Sequence, residues 1–131
     1  MINLKLIAQR IASNRSSNSN VQPEIHDNGD KFWYVNNKLH REDGPAIEKS
    51  NGTKEWYING KCHREDGPAI EDAEGGKSWY LNGNLHREDG PAIEYANGDK
   101  EWYLDGNEIE YDPKTWDQLV NESRIKNIMN N

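Results

Sequence analysis

The sequence has a single cysteine, Cys62, and no long uninterrupted apolar segment. One cysteine excludes an internal disulfide and a thiolate metal cluster. Only 33% of the residues are hydrophobic and 30% are charged, which disfavours a thick globular core. The apolar run at the N-terminus is broken by Lys5, Gln9 and Arg10, so it fits neither a signal peptide nor a membrane span. We therefore expect a soluble intracellular protein.

Positive charge is also scarce. The chain has 16 Lys and Arg against 23 Asp and Glu, which gives a net charge of -7. Nucleic-acid backbones and anionic membrane surfaces both select proteins with clustered cationic residues. We therefore expect neither nucleic acid nor a membrane as the partner.

One segment dominates the sequence. Residues 56–71 read WYINGKCHREDGPAIE, and near-copies occupy residues 33–48 and 79–94. A fourth copy begins at Trp102 and then diverges, and the four tryptophans are 23 residues apart each time. A fixed period of this length is typical of stacked repeat proteins, in which each unit packs only on its neighbours. Cys62 occupies the repeat position that Leu39 and Leu85 fill in the other copies. We therefore interpret it as a buried hydrophobe.

Each repeat carries two turn signals between segments rich in aromatic and β-branched residues. Asn-Gly and Asp-Gly supply the positive φ angles of a two-residue type I′ hairpin. The sequence therefore predicts an antiparallel meander with a short strand such as 54–58 and a longer one such as 62–71. One turn series is Asn28-Gly29, Asn51-Gly52, Glu74-Gly75 and Asn97-Gly98, and the other is Asn36-Asn37, Asn59-Gly60, Asn82-Gly83 and Asp105-Gly106.

Two-residue loops at both turns would fix the register of the strands. The predicted pairs are Ile58 with Lys61, Tyr57 with Cys62, Trp56 with His63, Ile47 with Trp56, and Ala46 with Tyr57. His40 and Ile47 would then share a face although an odd number of residues separates them, which strict alternation forbids. We therefore predict a bulge or kink at Asp43-Gly44-Pro45, where Gly and Pro interrupt the strand.

The two ends of the chain predict helices. Residues 2–12 have apolar positions near helical spacing, and the polar stretch 13–20 is typical of a linker. Residues 114–129 form a second partial apolar stripe, with Trp116 expected to anchor this helix on the last hairpin. The predicted fold is mainly β: an elongated meander of hairpin repeats over residues 21–112, with residues 1–20 as a helix and linker and 113–131 as a capping helix.

The pattern W-x-x-N-G-K-x-H-x-x-x-G, followed by N-G, resembles the MORN repeat family over residues 28–112. The matching residues in one copy are Asn59, Gly60, Lys61, His63 and Gly67. The stretch HREDGPAIE departs from the usual His-Gly-x-Gly, and similar divergent repeats occur in bacterial and large-virus proteins, including some antitoxins. The resemblance implies a twisted single-layer sheet that serves as a protein-binding scaffold.

The repeated HRED invites a metal or acid–base interpretation, but its geometry argues against one. Equivalent residues two strands apart lie roughly 9.6 Å from each other, whereas zinc ligands lie about 2 Å from the ion. His40, His63 and His86 therefore cannot converge, and a site within one repeat would have two ligands at best. We expect instead a structural ladder in which Arg41, Arg64 and Arg87 pair with acids of neighbouring repeats.

The aromatic residues form two predicted columns on opposite faces of the sheet. Exposed aromatic patches with polar rims often mark interaction sites, and Trp, Tyr and Arg dominate interface energies. The candidate partner-binding residues are Trp33, Trp56, Trp79, Trp102, Tyr57, Tyr80, His40, His63, His86, Arg41, Arg64 and Arg87. Tyr34 and Tyr103 complete the tyrosine column.

The sequence thus predicts a non-enzymatic scaffold that needs no cofactor and binds another protein. A specific form is an antitoxin-like or viral neutraliser, acting in the cytoplasm, which is that of the host cell if the protein is viral. The alternative is a small-ligand protein that holds a nucleotide or sugar in slots between the repeat tryptophans. A metal-dependent hydrolase is a third class, and open sheet edges would allow homo-oligomers.

Overall fold

Each repeat adds two short strands to one shared antiparallel sheet. The computed structural model describes residues 21–130, so the predicted N-terminal helix and linker lie outside the described residues. The main sheet has nine strands in the order β1-β2-β5-β6-β9-β10-β13-β14-β15, and the remaining strands form three separate two-stranded hairpins. This arrangement, with one C-terminal helix, confirms the predicted mainly β class.

The strands are mostly two residues long. They are β1 Glu24–Ile25, β2 Lys31–Phe32, β3 Tyr34–Val35, β4 Lys38–Leu39, β5 Ile47–Glu48, β6 Lys54–Glu55, β7 Tyr57–Ile58, β8 Lys61–Cys62, β9 Ile70–Glu71, β10 Lys77–Ser78, β11 Tyr80–Leu81, β12 Asn84–Leu85, β13 Ile93–Glu94, β14 Lys100–Leu104 and β15 Asn107–Ile109. All their pairings are antiparallel.

The chain leaves the main sheet once per repeat. After β6 it departs at Trp56, forms the β7–β8 hairpin, and returns as β9, which pairs with both β6 and β10. The predicted continuous strands 54–58 and 62–71 are therefore wrong, because the sheet excludes Trp56 and residues 63–69. The predicted kink at Asp43-Gly44-Pro45 is present, but it divides the strand completely.

The hairpin turns match the sequence signal. Asn59 and Gly60 have φ angles of 51° and 82°, and the turns at Asn36-Asn37, Asn82-Gly83 and Asp105-Gly106 also have two positive values. These angles are those of a type I′ turn, which suits the twist of two antiparallel strands. The predicted pairs Tyr57 with Cys62 and Ile58 with Lys61 are confirmed.

The other turn series has a different geometry. The Thr53 carbonyl accepts a hydrogen bond from the Lys49 amide at 2.9 Å, which leaves a three-residue loop. Only Gly52 has a positive φ there, and the Asn51 side chain accepts a hydrogen bond from the Thr53 amide at 2.9 Å. This is the type I turn with a glycine bulge. The predicted pairing of Ile47 with Trp56 is therefore wrong by one residue, since Ile47 opposes Glu55; the pairing of Ala46 with Tyr57 fails for the same reason.

The junction between hairpin and sheet is tightly packed. Ala46, Ala69 and Ala92 have no exposed surface. The Trp56 amide donates to the Ala69 carbonyl and the Ala69 amide donates to the Ser78 carbonyl, both at 2.7 Å. The methyl group of alanine fits where two main-chain segments approach this closely, and a larger side chain would overpack the site.

Helix α1 spans Trp116–Met129 and packs on the last hairpin. Trp116 is 7% exposed, and its indole N–H donates to the Glu88 carbonyl at 2.7 Å, so its predicted anchoring role is confirmed. Leu104 and Val120 complete this small core. The second half of the predicted apolar stripe is wrong, because Ile125, Ile128 and Met129 are exposed. Within residues 21–130, no helix has the length and hydropathy needed to cross a bilayer.

Candidate functional site

The repeated arginine is fixed by its own repeat. The Arg64 guanidinium lies 3.8 Å from the centroid of the Trp56 ring. It donates to Asp66 at 3.0 Å, to the Pro68 carbonyl at 3.0 Å and to Glu71 at 2.9 Å. Arg41 and Arg87 make the equivalent contacts. The predicted pairing with neighbouring repeats is therefore wrong, since the bend folds each arginine back onto its own acids.

The glycine of HREDGP is explained by this arginine. A Cβ atom at Gly67 would lie 3.1 Å from the guanidinium carbon of Arg64, and the distances at Gly44 and Gly90 are 3.0 Å and 2.9 Å. The guanidinium is thus held between the indole ring on one side and the glycine backbone on the other. The sequence pattern indicated a backbone bend at this glycine but did not indicate its contact with the arginine.

The repeated histidine joins consecutive hairpins. The His40 Nδ1 atom accepts a hydrogen bond from the Asn59 amide at 2.9 Å, and Nε2 faces Glu42 at 4.0 Å. His63 accepts from Asn82, and His86 accepts from Asp105, also at 2.9 Å. A ring nitrogen that accepts carries no proton, so this bond requires the Nε2–H tautomer. Each histidine therefore fixes the type I′ turn of the next repeat.

Backbone contacts reinforce this junction between hairpins. The Gly60 amide donates to the Leu39 carbonyl at 2.7 Å, and the Arg41 amide donates to the Tyr57 carbonyl at 3.1 Å. The adjacent acids of the motif divide their roles, because Glu65 faces His63 while Asp66 binds Arg64. Among residues 21–130, no group of three His, Cys, Asp or Glu side chains is arranged to hold a metal ion.

The aromatic residues differ in exposure along the array. Trp33 is buried, whereas Trp56, Trp79 and Trp102 are half-buried. Trp102 stacks on Tyr111, with ring centroids 4.4 Å apart. In this last unit the tyrosine ring occupies the position that an arginine has over the tryptophan of the earlier repeats. Tyr34 is exposed, and Tyr57, Tyr80 and Tyr103 are half-buried. Burial raises the pKa of Tyr57 and Tyr80, and the nearby Glu55 carboxylate raises both further.

Cys62 lies between the tyrosines of two repeats. It is buried, as its repeat position predicted. Burial, with a smaller contribution from the Glu55 charge, raises the pKa of its thiol to about 12. The thiolate is the nucleophilic form of cysteine, and this burial disfavours it.

The HRED bends create a row of open grooves. The first groove lies between residues 41–44 and 63–66, over Trp56 and Ile58, and has a volume of about 750 Å³. The second lies one repeat further, between residues 64–67 and 86–89, over Trp79 and Leu81, with about 570 Å³. A third of about 500 Å³ lies between residues 88–89 and helix α1. We call this surface the grooved face.

Carboxylates line the walls of the grooved face. The side chains of Glu65, Asp66 and Asp89 are 85%, 87% and 88% exposed. Each HREDGPAIE copy has one arginine against three acids, and that arginine already binds two of those acids. The grooves are therefore acidic at the rim and partly apolar at the floor. The residues that the sequence indicated for partner binding were aromatic residues, histidines and arginines, and these acids were not among them.

Helix α1 is held by polar contacts that the sequence pattern did not identify. Arg124 donates to Glu88 at 2.6 Å and 3.0 Å. Ser123 and Asn127 both donate to Asp105, the first residue of the last type I′ turn. The buried residues of α1 are Trp116, Val120 and Ser123, which lie on one face of the helix. Their spacing was the feature of the sequence that could have indicated which face packs on the last hairpin.

Comparison with known proteins returned no match to a family model, a curated protein or a solved structure. The likeness to MORN repeats is accordingly one of sequence pattern.

Proposed function

We propose that this chain is a non-enzymatic scaffold that binds another protein through its grooved face. The observation that carries this proposal is the regular repetition of acidic grooves, one after each HRED bend. A repeated surface of this kind suits a long partner, because several equivalent contacts then act together.

The rigidity of the grooves supports this proposal. Arg64 has four interactions within its own repeat, and His63 binds the backbone of the next one. The walls are therefore ordered before a partner arrives, which lowers the entropic cost of association. The same bonds leave the histidine Nδ1 atom occupied by a backbone amide. The histidine and arginine of the HRED motif therefore act as framework in this proposal, and its exposed acids contact the partner.

A specific form of this function is neutralisation of the partner in the cytoplasm, as an antitoxin or a viral inhibitor does. The acidic surface fits this form, since net charge of -7 favours rapid association with a basic partner. The molecule would then act by covering the surface of its target.

A second candidate function is binding of small ligands, one in each groove. The presence of Trp56 and Trp79 at equivalent groove floors favours this candidate, because the ring surface that the arginines leave uncovered can contact a base or a sugar. The acidic rim would repel nucleotide phosphates, which makes a sugar the better match. This candidate predicts several identical, independent sites per chain.

The two candidates are separated by affinity purification of the tagged protein from its native or host cell. The test variant is Glu65→Lys/Asp89→Lys, which reverses two exposed charges on the groove walls. The matched control is Glu74→Lys/Glu110→Lys, with the same charge change at exposed positions outside the grooves. We expect a stoichiometric protein to co-purify with the wild type and control and to be lost from the test variant.

Two other results would contradict the proposal. A protein retained equally by the wild type and the test variant would exclude the grooved face as its binding site. A small molecule released on denaturation, with no co-purifying protein, would favour the second candidate. Circular dichroism of each variant shows whether the fold is intact before the comparison is made.

A further inference from the structure

We propose that the grooved face binds an extended cationic segment of the partner, with Lys or Arg at every third position. This inference rests on the proposed protein-binding function and specifies the chemistry of the partner. Its grounds are the spacing of the grooves, the composition of their floors and walls, and the way α1 continues the series.

The spacing follows from the sheet. Each complete repeat adds two strands to the main sheet, and neighbouring strands are about 4.8 Å apart. Successive grooves are therefore separated by about 10 Å. Three residues of an extended or polyproline II segment span about the same distance. In polyproline II, every third side chain also points in the same direction.

The chemistry of each groove suits a long cationic side chain. The floor of the first groove contains Trp56 and Ile58, and that of the second contains Trp79 and Leu81. The methylene stems of Lys and Arg pack on such apolar surface while their charged ends reach polar groups at the rim. The carboxylates of Glu65 and Asp66 belong to the wall shared by both grooves. A single wall can therefore receive cations from two successive positions of the segment.

The cations within the grooved face do not compete with the partner. Arg41 binds Asp43 and Glu48, and Arg87 binds Asp89 and Glu94. Each arginine thus neutralises part of the charge in its own copy, and the one-to-three ratio of arginine to acid leaves an excess of negative charge. Complementary charge of this kind steers a basic partner and fixes its register.

Helix α1 forms one wall of the third groove and so extends the row of grooves by one. The third groove has Asp89 on the side of the last HRED bend and Asp117 on the helix, with Val120 also lining it. Arg124 lines this groove too, but it is held by Glu88. The helix therefore replaces the wall that the next repeat would have supplied, and it contributes the Asp117 carboxylate to the groove.

The test uses synthetic peptides of about ten residues, long enough to span three grooves. One peptide has Arg at every third position, and a second has the same composition with its arginines adjacent. Binding to the folded protein is measured by fluorescence anisotropy at about 0.15 M salt, where nonspecific attraction between exposed charges is screened. We expect the first peptide to bind about tenfold more tightly, since only its side chains enter successive grooves together.

The protein variants provide the second arm. Glu65→Lys should weaken binding of the matched peptide about tenfold, whereas Glu74→Lys, with the same charge change outside the grooves, should leave it unchanged. Equal affinity for the two peptides, equal losses in the two variants, or no binding to the wild type would overturn the inference. The proposed function would survive those results if a cellular protein still co-purified and was lost from Glu65→Lys/Asp89→Lys.

Discussion

Arg64 and Gly67 form a contact that recurs, through equivalent residues, in every complete repeat. The guanidinium lies against the Trp56 ring at 3.8 Å, and the absence of a side chain at Gly67 leaves room for it on the opposite side. A cation over an indole ring contributes about 0.5–2 kcal/mol, depending on its exposure. Here the contact also holds the bend that separates the hairpin from the main sheet.

Gly67→Ala should therefore destabilise the protein by about 1–2 kcal/mol, the usual cost of inserting a methyl group into a packed site. The new Cβ would lie 3.1 Å from the guanidinium carbon, and three hydrogen bonds restrain that group from moving away. The measurement is the free energy of unfolding in urea, followed by tryptophan fluorescence.

A double-mutant cycle isolates the cause. The three atoms nearest to the new methyl group all belong to Arg64, so the added cost of Gly67→Ala should fall sharply in an Arg64→Ala background. An unchanged cost in that background would show that the glycine is needed for backbone conformation alone.

The same Asn-Gly signal serves two different turns in this protein. At Asn59-Gly60 both residues have positive φ, whereas at Asn51-Gly52 only the glycine does. The sequence therefore predicted that hairpins would form at both places, but it did not distinguish a two-residue loop from a three-residue loop. The three-residue loop is defined by backbone bonds, from the Lys49 amide to the Thr53 carbonyl and from the Gly52 amide to the Lys49 carbonyl. Glu74-Gly75 forms the same turn without an asparagine, so the asparagine does not identify the loop length. A difference of one loop residue then moved the pairing of Ile47 from Trp56 to Glu55.

At the scale of the element, two carboxylates secure helix α1. Partial burial raises the pKa of Glu88, but hydrogen bonds from Arg124 and His86 outweigh it, so the pKa lies below its usual value. Burial also raises the pKa of Asp105, but hydrogen bonds from Ser123 and Asn127 lower it by more. The pKa of this carboxyl therefore lies below its usual value as well. Both acids therefore favour the folded protein when they are ionised.

The sign of the pH dependence follows from these lowered values. The stabilisation is present above the unfolded pKa of about 4 and is lost as the pH falls through the lower folded pKa. We expect the free energy of unfolding to fall more steeply below about pH 4 in the wild type than in Glu88→Gln/Asp105→Asn. Asparagine already occupies the position of Asp105 in the earlier turns, at Asn59 and Asn82, so the turn geometry is preserved. Identical acid slopes in urea titrations would contradict this role for the two acids.

Across the whole molecule, equivalent contacts are nearly identical from repeat to repeat, whereas the exposure of equivalent side chains varies. The histidine bond to the next turn is 2.9 Å at all three junctions, and the arginine contacts agree within a few tenths of an ångström. The period of 23 residues predicted a stack of equivalent hairpins. It did not predict the partners of the repeated histidine and arginine, because those contacts depend on where the bend returns the chain. The excess of acids on the grooved face, on which the proposed function rests, became apparent only once those partners were known.

Stacking of this kind predicts that one whole repeat can be removed. Deletion of residues 56–78 joins Glu55 to Trp79 and brings Asn82 to the place of Asn59, where its amide meets His40. Because each unit contacts only its neighbours, the shortened protein should fold with a lower free energy of unfolding and a smaller urea m-value. Deletion of residues 57–78 is the matched control, since the extra residue displaces every later side chain to the opposite face.

The two deletions should have different effects on folding. The first should unfold in one cooperative transition with retained β-sheet circular dichroism, and the second should lose cooperativity. The first deletion also removes one groove of the grooved face, so it should bind a cationic segment shortened by three residues as well as it binds the full-length one. A shortened protein that fails to fold would show that the repeats depend on contacts beyond their nearest neighbours, and the array could not then be treated as a sum of equivalent units.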